Sequence, residues 1–338
     1  MKVMVTGGLG YIGSVLCEEL LNKGYDVVSL DRGFFLDKTK GHPLFDRKGF
    51  KWLKDDIRYF DGKVLEGIDV VMDLAALSND PSGELDPKKT MSINFEGRKR
   101  VAELSKKHKV KRYILASSCS IYGFNPGIMT EESPTNPLTT YAHANLKAEG
   151  SLKLASKDFV VTALRQATVY GISPRMRFDL AINGMVLGIF KNKKLNLMRD
   201  GTQLRPFVHV RDTSNAFIHV MNSEPELVNG QIFNVGSNEE NYKLYDLAKG
   251  ISEKLLGEFR FEWYGSPDTR SYKVNFDKIK GLGYSTKHNA FDSAKEIYDA
   301  LLNGIVEENP RTNTVGWYKH LLEMNELLES IKVNGEIL

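Results

Sequence analysis

Three glycines and one acid are spaced so that they can hold a nucleotide. Gly7-Gly-Leu-Gly-Tyr-Ile-Gly13 follows the β-type run Lys2-Val-Met-Val-Thr6 without a break. Ile12, Val15, Leu16 and Leu20 then recur at the period of an amphipathic helix. A second apolar run, Asp26-Val-Val-Ser-Leu30, ends at Asp31. Strand, glycine loop, helix, strand and acid in that order describe a dinucleotide site. Gly7 permits the tight turn, Gly10 lets backbone approach a pyrophosphate, and Gly13 lets the helix pack closely on the strand. The helix start, where Tyr11 and Ile12 sit, offers free N–H groups and a partial positive charge to phosphates. Asp31 suits the adenosine ribose hydroxyls and repels a 2′-phosphate. Arg32 partly offsets that repulsion, so NAD is expected over NADP.

The glycine spacing is not the commoner G-x-G-x-x-G. Thr6-Gly-Gly-Leu-Gly-Tyr-Ile-Gly13 resembles the extended short-chain dehydrogenase/reductase family, especially its nucleotide-sugar epimerase and dehydratase branch. Asp55-Asp56-Ile57 is similar to the family's adenine-contacting pair, which implies cofactor contacts for Asp56 and Ile57. Asp69-Val-Val-Met-Asp-Leu-Ala-Ala76 resembles the strand end whose small residues touch the cofactor, implicating Leu74, Ala75 and Ala76. Asp73 stands there in place of the usual His. Asn94 and Gly97 match the family's Asn-x-x-Gly helix start. The resemblance runs, with gaps, from residue 1 to about 235.

The resemblance also implies a reaction centre. Ser118, at the end of the run beginning at Tyr113, corresponds to the hydroxyl that positions the substrate. Tyr141 corresponds to the catalytic tyrosine. A phenol near pKa 10 needs a neighbouring positive charge to act as a base at neutral pH. The family supplies a Lys four residues later, on the same helix face; here that residue is Asn145. Lys147 lies two residues farther, about 200° around the helix, and His143 is misplaced for the same reason. Asn145 suits a ribose hydroxyl but brings no charge. Three readings stay open: an active enzyme with rearranged proton transfer, a cofactor-binding protein without turnover, or a chain altered at this position. Cys119 and Ser120 occupy the places where dehydratases carry an acidic pair, which disfavours dehydration. Cys119 is read either as an acid/base thiol or as a small buried apolar residue. Ser120 is expected at the substrate.

In the second half, Leu164-Arg-Gln-Ala-Thr-Val-Tyr-Gly171 resembles the strand leading from cofactor to substrate, with Thr168 facing the sugar. A helix is expected over 178–190, and Asn183 within it matches a position that holds the nucleotide diphosphate. Arg205-Pro-Phe-Val-His-Val-Arg-Asp212 resembles a segment whose Arg205 lies over that diphosphate, as a guanidinium fork suits phosphate. Asp212 is expected to cap the next helix. Arg270, in Pro267-Asp-Thr-Arg270, is a second candidate for the diphosphate. His209 and His219, in apolar surroundings, read as structural, and no metal-site spacing is seen.

These residues need a scaffold, and the chain is long enough to build one. At 338 residues it allows roughly two domains. Lys plus Arg number 46 against 43 Asp plus Glu, a net charge of +3, which gives no reason to expect nucleic acid or an anionic membrane as partner. Hydrophobic residues at 41% and charged residues at 26% suit a folded globular chain. No apolar run approaches a membrane span, and no leader is expected ahead of the strand that starts at Lys2. Two cysteines make no disulfide framework. The expected architecture is α/β: a Rossmann-type doubly wound parallel sheet over 1–165 binding NAD, and a smaller C-terminal α/β region over 166–338 binding a nucleotide-diphosphate sugar. The two halves are expected to interleave. The expected activity is epimerisation by transient hydride transfer, most simply at C4. A nucleotide-sugar ketoreductase or dehydrogenase and a non-catalytic NAD(H)-binding protein are the alternatives. Homodimerisation through helices near 90–108 and 140–157 and a cytoplasmic location are expected from the resemblance alone.

Overall fold

The computed structural model describes residues 1–37, 39, 41–266 and 270–336. Its strands, in chain order, are β1 (Lys2–Thr6), β2 (Asp26–Leu30), β3 (Phe50–Leu53), β4 (Val70–Asp73), β5 (Arg112–Ser118), β6 (Phe124–Met129), β7 (Val160–Gln166), β8 (Thr168–Tyr170), β9 (Leu195–Met198), β10 (Leu204–His209), β11 (Gln231–Val235), β12 (Asn241–Lys243), β13 (Phe261–Tyr264) and β14 (Ser271–Val274). Seven of them form one parallel sheet in the order β11-β7-β5-β4-β1-β2-β3. Along β1, Val3 and Val5 enter one core layer and Met4 the other. Both faces are therefore covered, which is why these strands read as nearly unbroken apolar runs.

The strand order reverses between β1 and β4, and the crevice above their carboxyl ends is where such sheets bind ligands. The helices that matter to it are α1 (Tyr11–Asn22), α2 (Asp80–Gly83), α3 (Pro87–Met91), α4 (Arg98–Lys107), α5 (Thr140–Ala148), α6 (Ala181–Asn192) and α7 (Val210–Asn222). A π-helical turn, Ser92–Gly97, leads into α4.

The strand expected over 164–171 breaks at Ala167, whose N–H goes to the Val235 carbonyl. Before the break β7 lies between β5 and β11; after it β8 pairs with β10 in a second sheet, β12-β10-β8. This step from sheet to sheet places Thr168 at the crevice. The helix expected over 178–190 begins later, at Ala181. Asp179 is held outside it by Arg177, through two bonds of 3.1 and 2.7 Å. Strand β11, from the second half, is the edge of the large sheet beside β7, so the boundary at 165 does not divide the molecule in space. The pairs β9–β13 and β6–β14 complete the smaller region. Helices Ala290–Leu302 and Thr314–Ile331 form the tail. Among the described residues no helix is long and apolar enough to cross a membrane.

Candidate active site

The chain leaves β1 through Gly7, whose φ of +71° favours glycine. A Cβ at Gly13 would lie 2.1 Å from the Gly7 carbonyl oxygen, so α1 touches the loop backbone there. The N-cap of α1 is Gly10, which has no side chain to satisfy the first-turn N–H groups, and no acid occupies that turn. A helix start of this kind fits a pyrophosphate. Asp31 accepts the N–H groups of Leu9 and Gly33 at 3.1 and 2.7 Å, and burial raises its pKa. Glycine cradle, uncapped helix start and ribose-side acid together fit a dinucleotide.

Arg32, expected to offset the repulsion of a 2′-phosphate, is engaged by a second acid. It pairs with Asp56 at 3.1 Å and lies 4.5 Å over the Phe34 ring. Arg58 grips the same carboxylate at 3.0 and 2.7 Å. Burial alone would raise the Asp56 pKa, but Arg58 and Arg32 hold it below its ordinary value. Two further groups were not legible in the sequence. Arg175 stacks 3.6 Å over Phe35, and burial lowers its pKa to about 9. Tyr318 of the C-terminal helix meets the edges of Phe34 and Phe35. Arg32, Phe34, Phe35, Asp56, Arg175 and Tyr318 line one cleft of about 470 Å³, within the roughly 300–1,000 Å³ of ligand pockets.

The wall beside the loop is set from below. Asp73 is fully buried and takes hydrogen bonds from the Thr6 hydroxyl and, at 2.5 Å, the Tyr113 phenol. Thr6 in turn accepts the N–H groups of Leu74 and Ala75, both at 3.1 Å. Leu74, Ala75, Ala76, Ile12 and Ile57 face the cleft; Asp73 supports them from behind.

At the other end Ser118, Ser120, Tyr141, Thr168, Arg205 and Arg270 share the same cleft. Ser118 closes β5 and accepts the Ser120 N–H at 3.1 Å. The Ser120 hydroxyl is buried and has no protein partner, a free polar group facing a ligand space. Thr139 caps α5 by accepting the Ala142 N–H, and donates its hydroxyl to Asp80. Asp80 also pairs with Arg270, and Arg205 donates to the Arg270 carbonyl. The two arginines are thus brought together; Pro267–Thr269 lies outside the described residues.

Asn145 is buried one turn beyond Tyr141. Its Nδ2 donates to the Tyr141 carbonyl at 3.0 Å, and its Oδ1 accepts from Nη1 of Arg98 at 2.8 Å. Nε of the same guanidinium donates to the Ala75 carbonyl at 3.1 Å. Arg98 is only 2% exposed, yet it lines the cleft. Burial pushes the Tyr141 pKa up; the Arg98 charge and the Ser118 and Asn145 side chains pull it back, while Asp80 opposes them. Sequence reading missed Arg98, although it is the residue directly after Gly97 of the Asn-x-x-Gly motif. His143 and Lys147 are exposed, on the helix faces their rotation dictates.

Two expected site residues lie elsewhere. Cys119 sits between two cleft-facing serines and points the other way, its thiol donating to the Arg165 carbonyl at 3.2 Å. Burial raises its pKa, so it is a core thiol and not an acid/base group. Asn183 is fully buried. It accepts the Gly171 N–H at 3.1 Å and donates to Tyr11 Oη and the Arg177 carbonyl at 3.0 and 2.8 Å. Its amide braces the α1 start against the second half, leaving nothing for a diphosphate.

The histidines have local tasks. His209, not Asp212, caps α7, with Nδ1 accepting the Arg211 N–H at 3.2 Å. Asp212 instead receives the N–H groups of Lys287 and His288 at 3.1 and 3.0 Å. His219 meets the Leu282 carbonyl at 2.9 Å. Among the described residues one group, His209, Asp212 and His288, has ligand atoms within 4.8 Å of one another. Those atoms are already engaged: His288 Nδ1 lies 3.0 Å from Asp212, and the two imidazoles stack at 4.0 Å.

A family model matches residues 3–236. The chain belongs to the NAD dependent epimerase/dehydratase family. A relative from Bacillus subtilis (strain 168), named uncharacterized UDP-glucose epimerase YtcB, is 30% identical over 320 residues, covering 90% of this chain and 97% of that one. Among solved structures, the UDP-glucuronic acid 4-epimerase of Bacillus cereus in complex with UDP-glucuronic acid and NAD is similar at 27% identity. It covers 90% of this chain and 99% of its own, with a TM-score of 0.78. MoeE5 in complex with UDP-glucuronic acid and NAD gives 25% identity, 95% and 100% coverage, and a TM-score of 0.77. The cofactor of this family member is NAD.

Proposed function

We propose that this protein is an NAD-dependent nucleotide-sugar 4-epimerase. The observation that carries the reading is one cleft lined by the glycine loop and Asp31 at one end and by Ser118, Tyr141, Arg205 and Arg270 at the other. Residues before about 165 serve mainly the cofactor in this reading, and those after it mainly the sugar nucleotide. Relatives named UDP-glucose and UDP-glucuronate 4-epimerase make a UDP-sugar the first substrate to test.

Bound NAD supplies reversible hydride storage. The Ser118 hydroxyl orients the sugar hydroxyl at the reacting carbon. Tyr141 takes the proton of that hydroxyl and returns it to the same oxygen once the sugar has presented its other face. Arg205 and Arg270 hold the diphosphate, so the sugar turns while its anchor stays. Ser120 offers its free hydroxyl to the sugar. Neither Cys119 nor Ser120 is a carboxylate, so proton removal for dehydration has no base at those positions. A family member of this chemistry belongs to carbohydrate biosynthesis in the cytoplasm.

Homodimerisation is part of the proposal. Helices α4 and α5, with the segments 92–97 and 149–154 beside them, form the expected interface. The C-terminal helix also exposes Met324, Leu327, Leu328 and Ile331 at helical spacing. Sedimentation of the protein and of Leu327→Glu tests both; a dimer lost only in the variant would move the interface to that helix.

The activity is tested by mixing protein and NAD with UDP-glucose, UDP-glucuronic acid and UDP-N-acetylglucosamine. Sugars are followed by NMR and reduced nicotinamide by absorbance. A C4 epimer without net NADH is expected. An oxidised sugar with stoichiometric NADH would make the protein a dehydrogenase, and no reaction with a panel of nucleotide sugars would favour a binding protein.

A further inference from the structure

We infer that Arg98, acting through Asn145, supplies the positive charge that sets the proton affinity of Tyr141. The inference deepens the epimerase reading and rests on it for the role of Tyr141. It starts from two bonds: Arg98 Nη1 to Asn145 Oδ1 at 2.8 Å, and Asn145 Nδ2 to the Tyr141 carbonyl at 3.0 Å. Arg98 and Asn145 are both nearly inaccessible to solvent, 2% and 1% exposed. Charge acts over a longer range there than at a surface, because little water intervenes. A guanidinium bonded to an amide oxygen also polarises the amide.

The other charged groups around Tyr141 do not replace Arg98. Asp80, in α2, carries the wrong sign and is paired with Arg270. Glu84 accepts the Thr140 N–H at 2.7 Å and is likewise negative. Ser118 and Asn145 are neutral, and His143 and Lys147 are exposed on other faces of α5. Asp73 lies close enough to Arg98 for their charges to interact, but it is negative in sign and engaged by the Thr6 and Tyr113 hydroxyls, so it does not replace the guanidinium either.

The arrangement has a consequence that a lysine would not have. A guanidinium is a planar fork that can bond two partners at once, and here Nη1 holds the Asn145 amide. Nε is also anchored to the Ala75 carbonyl on the cofactor wall, at 3.1 Å. One side chain from α4 therefore fixes the spacing between that wall and the tyrosine helix. Arg98 is a positioning residue: its bond to Asn145 ties its charge to the helix that carries Tyr141.

The test reads the phenol directly. Tyrosines labelled with ¹³C at Cζ are titrated by NMR in the NAD-bound protein, and Tyr141→Phe identifies the resonance. Arg98→Gln is expected to raise the Tyr141 pKa by about one unit or more and to lower kcat near neutral pH about tenfold. Arg98→Lys should stay within about half a unit of the parent. Arg98→Gln/Asn145→Lys should bring the pKa back down. A Tyr141 pKa unmoved by Arg98→Gln overturns the inference. If Arg98→Gln does not fold, Asn145→Leu decides: it breaks the bridge at nearly constant volume and must raise the pKa, and an unchanged value overturns the inference equally. No sugar enters the titration. A pKa that moves as expected with no epimer formed would sink the epimerase reading alone, whereas an epimer formed with an unmoved pKa would sink the role of Arg98 alone.

Discussion

Tyr141 and Cys119 mark the two extremes of what a side chain near this cleft does. Tyr141 lines the cavity with Ser118. Its conversion to Phe should lower epimerisation by about 10²–10⁴-fold, the usual worth of a positioned acid/base group. NAD affinity, read by fluorescence titration, should stay within about threefold on the same account, since proton transfer is not part of binding. Cys119 differs by one residue from two cleft-facing serines, but its thiol reaches the Arg165 carbonyl. Cys119→Ala should leave kcat within about twofold and lower stability by about 1 kcal/mol in urea unfolding, the ordinary loss for a small buried group. A large kcat loss with an unchanged melting curve would return the thiol to the reaction. Motifs read through the family resemblance pointed to Ser118 and Tyr141. They did not indicate which way Cys119 and Asn183 face, because that depends on where β5 and the 171–181 loop turn.

At the scale of elements, the site depends on how closely α1 sits on the glycine loop and how α5 is tied to the sheet. The first is a backbone contact: a Cβ at Gly13 would press on the Gly7 carbonyl oxygen at 2.1 Å and the Gly8 Cα at 2.7 Å. Neither is a flexible side-chain end. Gly13→Ala should therefore push α1 outward, weakening NAD binding tenfold or more by calorimetry, roughly the 1.4 kcal/mol of a displaced helix start. The second is an ion pair. Glu149, just beyond α5, accepts from Arg165 of β7 at 2.9 and 2.8 Å and from the Ser117 hydroxyl at 2.6 Å. Both charged groups are buried. Glu149→Gln leaves the guanidinium without its counter-charge and should cost about 3 kcal/mol of unfolding free energy, as broken buried pairs do. Activity lost without that destabilisation would contradict a purely structural role.

For the whole molecule, pH dependence of stability follows from a buried histidine of the second half. His209 ends β10, caps α7 through Nδ1 and packs against Gly171. Burial, then the neighbouring His288, lowers its pKa from 6.5 to about 3. The folded protein thus binds fewer protons than the unfolded chain between about pH 3 and 6.5. Stability from this group is complete above 6.5 and falls as pH drops through that window. Burial lowers His42 to about 4, which acts in the same direction. Urea unfolding should show lower stability at pH 4.5 than at pH 7, with His209 contributing on the order of 2–3 kcal/mol. His209→Asn keeps an N-cap acceptor without the titration, so it should shrink that difference. An identical pH profile in the variant would remove His209 as the cause.

The cofactor half was written in local order. Strand, glycine loop, helix and acid lie within residues 2–31, and each element follows from short-range periodicity and backbone freedom. The same holds for the helices of the tail, whereas Ser118 and Tyr141 were indicated by the family resemblance and not by periodicity. Tertiary structure decided what depends on distant partners. Arg98 and Asn145 are 47 positions apart, and nothing in local spacing links a cation to an amide across that gap. Arg32 bonds Asp56 because β3 lies beside β2 and delivers the 55–58 segment there. The break at Ala167 follows from β8 pairing with β10, some 40 residues later in the chain. Periodicity reports which face of an element is apolar; which side chain from another element meets that face is fixed only when the sheet order and the loops close around it.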